Sequence, residues 1–243
     1  MEFSKTVGRI NSIQSMGTLD GPGVRFVAFM QGCPLRCGCC HNPETRDANL
    51  GQEYTAKAIA DEAAKYKAYF GTKGGITLSG GEPLLQADFV KAVFTLCKEN
   101  GINTCLDTSG FALNDEVLSA LKVCDYVMLD IKYTTEQDYK QYVGCSLSTP
   151  IKFLEKLNEL GIKTRIRQVI IPSLNDTDEN IQRLCEIIKP YSCVEAVELL
   201  PFKTICQGKY DELGVEFPFA HIPPADRTKT LKLQEKIDLL LKA

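Results

Sequence analysis

The sequence has no tryptophan and only two histidines, His41 and His221. An HExxH zinc motif is therefore impossible, and a histidine-based catalytic triad has almost no material to draw on. No run of about 18 apolar residues is present to span a bilayer, and Met1-Glu2-Phe3-Ser4-Lys5 lacks the apolar stretch of a secretory signal. A cytoplasmic protein with no membrane partner is expected. Basic residues are not in excess either. Twenty-eight Lys+Arg against 31 Asp+Glu give a net charge of −3, which lacks the broad positive field of non-specific nucleic-acid binding, so no nucleic-acid partner is expected.

What is there is an ordinary globular composition: 243 residues, 44% hydrophobic and 24% charged. No repeat, low-complexity tract or Pro/Gly-rich linker divides it, so one domain is expected over 1–243. Short β-rich runs at 24–31, 76–79, 104–107, 126–130, 164–171 and 194–200 are separated by helical patterns at 55–70, 86–100, 114–121, 149–160, 177–189 and 227–241, with a shorter one at 135–143. Strands alternating with helices imply parallel pairing through right-handed crossovers. Six units are too few for a closed eight-unit barrel of about 250 residues. The fold class is α/β, an open partial (β/α)6 barrel of TIM type with parallel strands. An N-terminal hairpin spans about 7–31, turning through the glycine-rich 17–23.

Eleven cysteines are an odd number with uneven spacing, and four of them fall within Cys33–Cys40. In a reducing compartment clustered thiols hold metal or do redox chemistry. The loop over 32–43 carries Cys33, Cys37 and Cys40 as CxxxCxxC, a set that can ligate three corners of a cubane cluster and leave the fourth iron open. A structural zinc site, which wants four ligands, and a closed electron-transfer cluster borrowing a remote cysteine are the competing readings. The remaining seven cysteines read as small core residues.

Five polar residues, Glu82, Asp107, Asp130, Lys132 and Lys203, fall at or just after the ends of successive strands. That rim is where such a fold builds an active site. Gly80 and Gly81 leave a strand end without side chains, so that a ligand can approach the backbone.

The cysteine loop, with Asp20-Gly21-Pro22-Gly23-Val24-Arg25, Ser79-Gly80-Gly81-Glu82-Pro83, Asp107-Thr108-Ser109-Gly110, Met128-Leu129-Asp130-Ile131-Lys132 and Leu199-Leu200-Pro201-Phe202, resembles the radical S-adenosylmethionine superfamily, and within it the activators of glycyl radical enzymes. The resemblance implies a 4Fe-4S cluster on Cys33, Cys37 and Cys40 whose open iron chelates S-adenosylmethionine. One electron then cleaves the sulfonium, and a 5′-deoxyadenosyl radical takes the Cα hydrogen of a glycine on a partner. It further implies that Cys39, Cys40, His41 and Asn42 border the adenine, that Gly80, Gly81 and Glu82 receive the amino group, that Asp130, Ile131, Lys132 and Lys203 meet the ribose and carboxylate, and that Asp107, Thr108, the Met128 carbonyl and Asp130 hold a monovalent cation. Asp20, Gly21 and Arg25 would face the partner's glycine loop, and Arg167, on the fifth strand, would face the cavity as a secondary candidate.

Two departures matter. The position before the third ligand, aromatic in most of the superfamily, is Cys39, and Lys203 stands where near relatives carry a histidine. Fusion-type activators insert extra CxxC clusters after the first motif, whereas no cysteine occurs from Pro43 to Gly75. That gap favours pyruvate formate-lyase as partner, and with it a role in anaerobic glucose metabolism. A flavodoxin or ferredoxin as reductant and a monomeric state complete the expectations. A different glycyl radical enzyme, a small molecule or RNA remains the alternative substrate.

Overall fold

The computed structural model describes residues 3–242. They form two compact units where the sequence predicts one domain: residues up to Pro34 with Thr45–Met128, and Leu35–Glu44 with Leu129 onward.

The first unit holds β1 (Val7–Gly17), β2 (Arg25–Met30), β3 (Gln52–Thr55), α1 (Ala56–Ala64), β4 (Gly75–Gly80), α2 (Ala87–Glu99), β5 (Asn103–Thr108) and α3 (Asp115–Leu121). The chain leaves it along β6 (Tyr126–Asp130). Strand β1 runs antiparallel to β2, Gly17 opposite Arg25, which is the predicted hairpin. Strand β3 extends it on the other side, Val7 opposite Thr55; the polar tetrapeptide Gln-Glu-Tyr-Thr gave no alternation to find it by. Strands β2, β4 and β5 pair in parallel, with Met30 opposite Gly80. The Cys33 loop after β2 and the Gly81–Glu82 turn after β4 therefore leave the same end of the sheet. Helix α2 covers this unit with Phe89, Val90, Val93 and Phe94, none more than 2% exposed. Each such side chain contributes about 1.5–3 kcal/mol by leaving water.

The second unit holds α4 (Glu136–Tyr142), α5 (Ser148–Glu159), β7 (Lys163–Ile170), α6 (Asp178–Ile188), β8 (Val194–Pro201), α7 (Gln207–Leu213) and α8 (Arg227–Lys242). Strands β7 and β8 are parallel, and Ile131, just past β6, donates its N–H to Arg167 O at 3.0 Å. Phe153, Leu157, Ile166, Leu184 and Phe202 fill the interior. All six predicted strands are present in a mostly parallel α/β sheet that is open, not a closed barrel. Helix α7 went unread.

Local chemistry explains the helix starts. Thr55, Asn114, Thr135 and Thr177 each accept an N–H of the first turn of α1, α3, α4 and α6, satisfying a donor that the helix itself leaves free. Gly101 and Gly161, just past the ends of α2 and α5, take left-handed φ of 65° and 66°. Among the described residues no helix is long and apolar enough to cross a membrane.

Candidate active site

The cysteine loop is tied down at both ends. In the first unit Gly32 N–H bonds to Thr45 O at 2.7 Å and Cys33 N–H to Arg46 O at 3.3 Å. In the second, Arg36 and Gly38 donate to Val143 O and Tyr142 O at 3.1 and 2.9 Å. A side chain at Gly38 would strike the Phe219 ring at 2.5 Å, so the loop lies directly on that ring. All eleven cysteines are free thiols. Cys33, Cys37 and Cys40 are half-buried, whereas Cys39 is buried. Of the other seven, six are buried as expected; Cys145, in the turn after α4, is half-buried instead. Among the described residues no three His, Cys, Asp or Glu side chains are gathered as ligands of a single metal ion, so the fit of a cluster rests on donor chemistry. Three partly accessible thiols within eight residues of sequence are the donor type that a 4Fe-4S cluster takes.

Gly80 and Gly81 do more than expose backbone. A Cβ on Gly80, whose φ is +102°, would meet Met30 N at 2.5 Å, and one on Gly81 would meet Gly32 O at 2.2 Å. The pair lets the turn after β4 close onto the start of the cysteine loop, and Gly81 and Glu82 N–H bond to Met30 O and Gly32 O at 2.9 and 2.8 Å. Glu82, the acidic residue of this turn, is held by protein donors. It is 1% exposed, and its carboxylate accepts from Leu84 N–H at 3.1 Å, Thr108 hydroxyl at 2.6 Å, Ser109 N–H at 3.0 Å and the Ser109 hydroxyl. Burial pushes its carboxyl above the usual glutamate range, and these bonds pull back only part of that. Glu82 thus clamps the β5 loop to the β4 turn. Asp107 accepts the Ser79 hydroxyl at 2.7 Å, and Thr108 Oγ1 also receives Gly110 N–H at 3.0 Å. Met128 is fully buried.

The Asp20–Gly23 turn lies at the start of β2, the opposite strand end from Cys33. Arg25 corrects the expectation of a partner-facing cation. It is 0% exposed, and its guanidinium donates to Thr77 Oγ1 (2.9 Å), Pro22 O (3.4 Å), Lys73 O (3.2 Å), Asn103 Oδ1 (2.8 Å) and Ile76 O. Burial lowers its pKa from the usual arginine value. Thr77 in turn donates to Asp20 O at 2.6 Å, and the Cα of Gly21 packs where a Cβ would be 3.2 Å from Cys105 Sγ. The guanidinium secures the turn from beneath.

In the second unit Asp130 is held on both oxygens, by Lys132 Nζ at 2.8 Å and by Arg167 Nε at 3.1 Å. Burial pushes the Asp130 carboxyl up, but the two cations outweigh it and hold it below the usual aspartate value. The same carboxylate, against the opposing cost of burial, keeps Lys132 charged well above the usual lysine value. Ile131 is buried between these residues, its carbonyl accepting from Gln168 Nε2 at 3.1 Å. The segment Cys40–Glu44 is held by the chain after β8. His41 Nε2 bonds to the backbone oxygen of Lys203 at 2.9 Å, Tyr210 hydroxyl donates to Cys40 O at 3.1 Å, and Lys209 Nζ reaches His41 O, Asn42 Oδ1 and Glu44 Oε1 at 3.1, 3.0 and 2.5 Å. The Lys203 side chain itself is exposed. Lys209 and Tyr210 carry no local motif; only their distant acceptors reveal them.

Comparisons with known proteins show the family. Residues 27–185 match the family model described as the radical SAM superfamily. The chain is 43% identical over 236 residues to a pyruvate formate-lyase-activating enzyme of Clostridium pasteurianum, covering 97% of this chain and 99% of that one. It is 40% identical over 221 residues to the pyruvate formate-lyase 1-activating enzyme of Escherichia coli K12, covering 90% of each. In fold it is similar to Streptococcus suis SuiB bound to S-adenosylmethionine, with a TM-score of 0.67 at 19% identity over 86% of this chain and 45% of that one. With its three-thiol loop following the first parallel strand, the chain belongs to the radical SAM superfamily.

Proposed function

We propose that this protein activates a glycyl radical enzyme, pyruvate formate-lyase, by generating a radical on a glycine of that partner. The observation that carries the reading is the division of thiols on one loop: Cys33, Cys37 and Cys40 partly accessible, Cys39 buried. Relatives of 43% and 40% identity that bear the activating-enzyme name support the choice of partner. When bound, a 4Fe-4S cluster and S-adenosylmethionine supply one-electron cleavage of the sulfonium and abstraction of a glycine Cα hydrogen.

The chain's own part is to bind, orient and exclude water. Cys33, Cys37 and Cys40 hold the cluster. Backbone groups of Cys39–Asn42 receive the adenine, the task that Cys39 cannot perform as an aromatic ring would. Gly80, Gly81 and Glu82 take the amino group, the two glycines leaving the backbone of the turn without side chains. Lys132 meets the carboxylate and Asp130 the ribose, each able to exchange its present ion-pair partner for the ligand, with Ile131 at the backbone and Lys203 at the rim. Asp107, Thr108, the Met128 carbonyl and Asp130 offer the hard oxygen donors that suit a monovalent cation. Asp20 and Gly21, on the turn that Arg25 secures, face the partner. A flavodoxin or ferredoxin as electron donor, a monomeric state, and a place in the anaerobic glucose metabolism of the cytoplasm belong to the same reading.

The test is anaerobic electron paramagnetic resonance of the reconstituted protein with reductant, S-adenosylmethionine and pyruvate formate-lyase. A doublet from a backbone-centred glycyl radical is expected, and it should vanish with Cys33→Ala, Cys37→Ala or Cys40→Ala. Cleavage of S-adenosylmethionine without that doublet would move the substrate elsewhere.

A further inference from the structure

Two consecutive side chains of α7 reach back 165 to 170 residues to one short stretch of the cysteine loop. Lys209 has three ammonium hydrogens, and each finds an oxygen: the carbonyl of His41, the side chain of Asn42 and the carboxylate of Glu44. Those acceptors span four residues, so one ammonium fixes the curvature of the whole segment. Tyr210 holds the residue before them. Its ring is fully buried, packed at a tilt against Phe217 with a centroid distance of 4.8 Å, and its hydroxyl ends on the carbonyl of Cys40. A buried ring has little freedom, so the hydroxyl defines where that carbonyl lies. The backbone oxygen of Lys203 adds a third point by bonding to His41 Nε2.

We propose that Lys209 and Tyr210 are positioning residues that set the backbone of Cys40–Asn42 for S-adenosylmethionine, acting through the loop without touching the ligand. This rests on the functional reading above. It also supplies what the departure at Cys39 leaves open. With no aromatic ring before the third cluster ligand, adenine recognition falls to backbone groups, and backbone groups recognise a ligand only if the loop is held still.

The test compares wild type with Lys209→Met, Lys209→Arg and Tyr210→Phe. Hydrogen exchange of the cluster-free protein reads the loop without any ligand. In Lys209→Met the amides of 40–44 should exchange about tenfold faster while β4 and β5 stay unchanged, the effect of losing one charge-assisted anchor. In the anaerobically reconstituted protein the Kd for S-adenosylmethionine should rise about tenfold in Lys209→Met and about threefold in Tyr210→Phe, with kcat at saturation within about twofold of wild type. Lys209→Arg, which keeps the charge and the donors, should restore most of both effects. Unchanged exchange over 40–44 in Lys209→Met and Tyr210→Phe overturns the proposal, as does faster exchange with unchanged affinity. Failure of wild type to bind S-adenosylmethionine would instead overturn the functional reading, and exchange would still decide whether the two side chains hold the loop.

Discussion

Ser109 grips Glu82 twice on the same oxygen, through its backbone N–H at 3.0 Å and through its hydroxyl. Thr108 and Leu84 take the other oxygen. A carboxylate at the end of one strand thereby organises the loop at the end of the next, and its substitution has a consequence that needs no ligand. In Glu82→Gln the amide NH2 faces donors wherever it is turned, and the cluster-free protein should lose about 2–4 kcal/mol in urea unfolding. Because burial holds the folded-state pKa above the usual glutamate value, the wild type should also lose stability as pH rises from about 4.3 through that raised value, a slope absent from the variant. A variant as stable as wild type would remove the clamp from the account.

Asp130 carries the opposite sign. Its folded-state pKa lies below the usual aspartate value because Lys132 and Arg167 outweigh burial. Its contribution is therefore fully present above about pH 4 and is lost as pH falls through the lowered folded value. Asp130→Asn leaves two half-buried cations without their counter-charge and should cost about 2–4 kcal/mol at neutral pH. The gap between variant and wild type should close on acidification, as measured by denaturant titration from pH 7 to pH 3.

Arg25 makes a separate forecast. Lysine keeps the charge but has three donors where five acceptors wait, so Arg25→Lys should be destabilised by about 3 kcal/mol or more. Affinity for the partner, measured on the folded fraction at low temperature, should stay near wild type. A large affinity loss with unaltered stability would return this side chain to the partner's face.

The cysteines outside the triad give the sharpest test of the open corner. Cys145→Ala, which removes the half-buried thiol of the turn after α4, should retain wild-type iron content and S-adenosylmethionine cleavage. So should Cys39→Ala, after allowance of about 1 kcal/mol for the buried sulfur it deletes. Loss of the cluster in either would identify a fourth protein ligand and close the site to chemistry.

The sequence was informative wherever the cause of structure is local. Helix starts at Thr55, Asn114, Thr135 and Thr177 were legible because a cap acts within three residues of itself, and the six strands because apolar runs alternate with amphipathic ones. The three thiols were legible because their spacing is short. Glu82, Arg25 and Lys209 were not, for one reason. Glu82 finds its main donors 26 and 27 residues away, Arg25 its acceptors up to 78 away, and Lys209 its acceptors 165 to 168 away. A charged residue within two positions of a glycine reads as solvent-facing or ligand-facing until the fold brings hydrogen-bond partners to it. Strand β3 was missed because four polar residues gave no pattern, and α7 because its seven residues include a glycine and bury only Tyr210.

The anchoring of the 18–24 turn from below leaves its outer side unconstrained. Leu19 is 79% exposed while its neighbours are bonded to the strands beneath. Changes confined to that crest leave the foundation intact, so adaptation of this protein to a new client can proceed one outward residue at a time without endangering the fold that bears it.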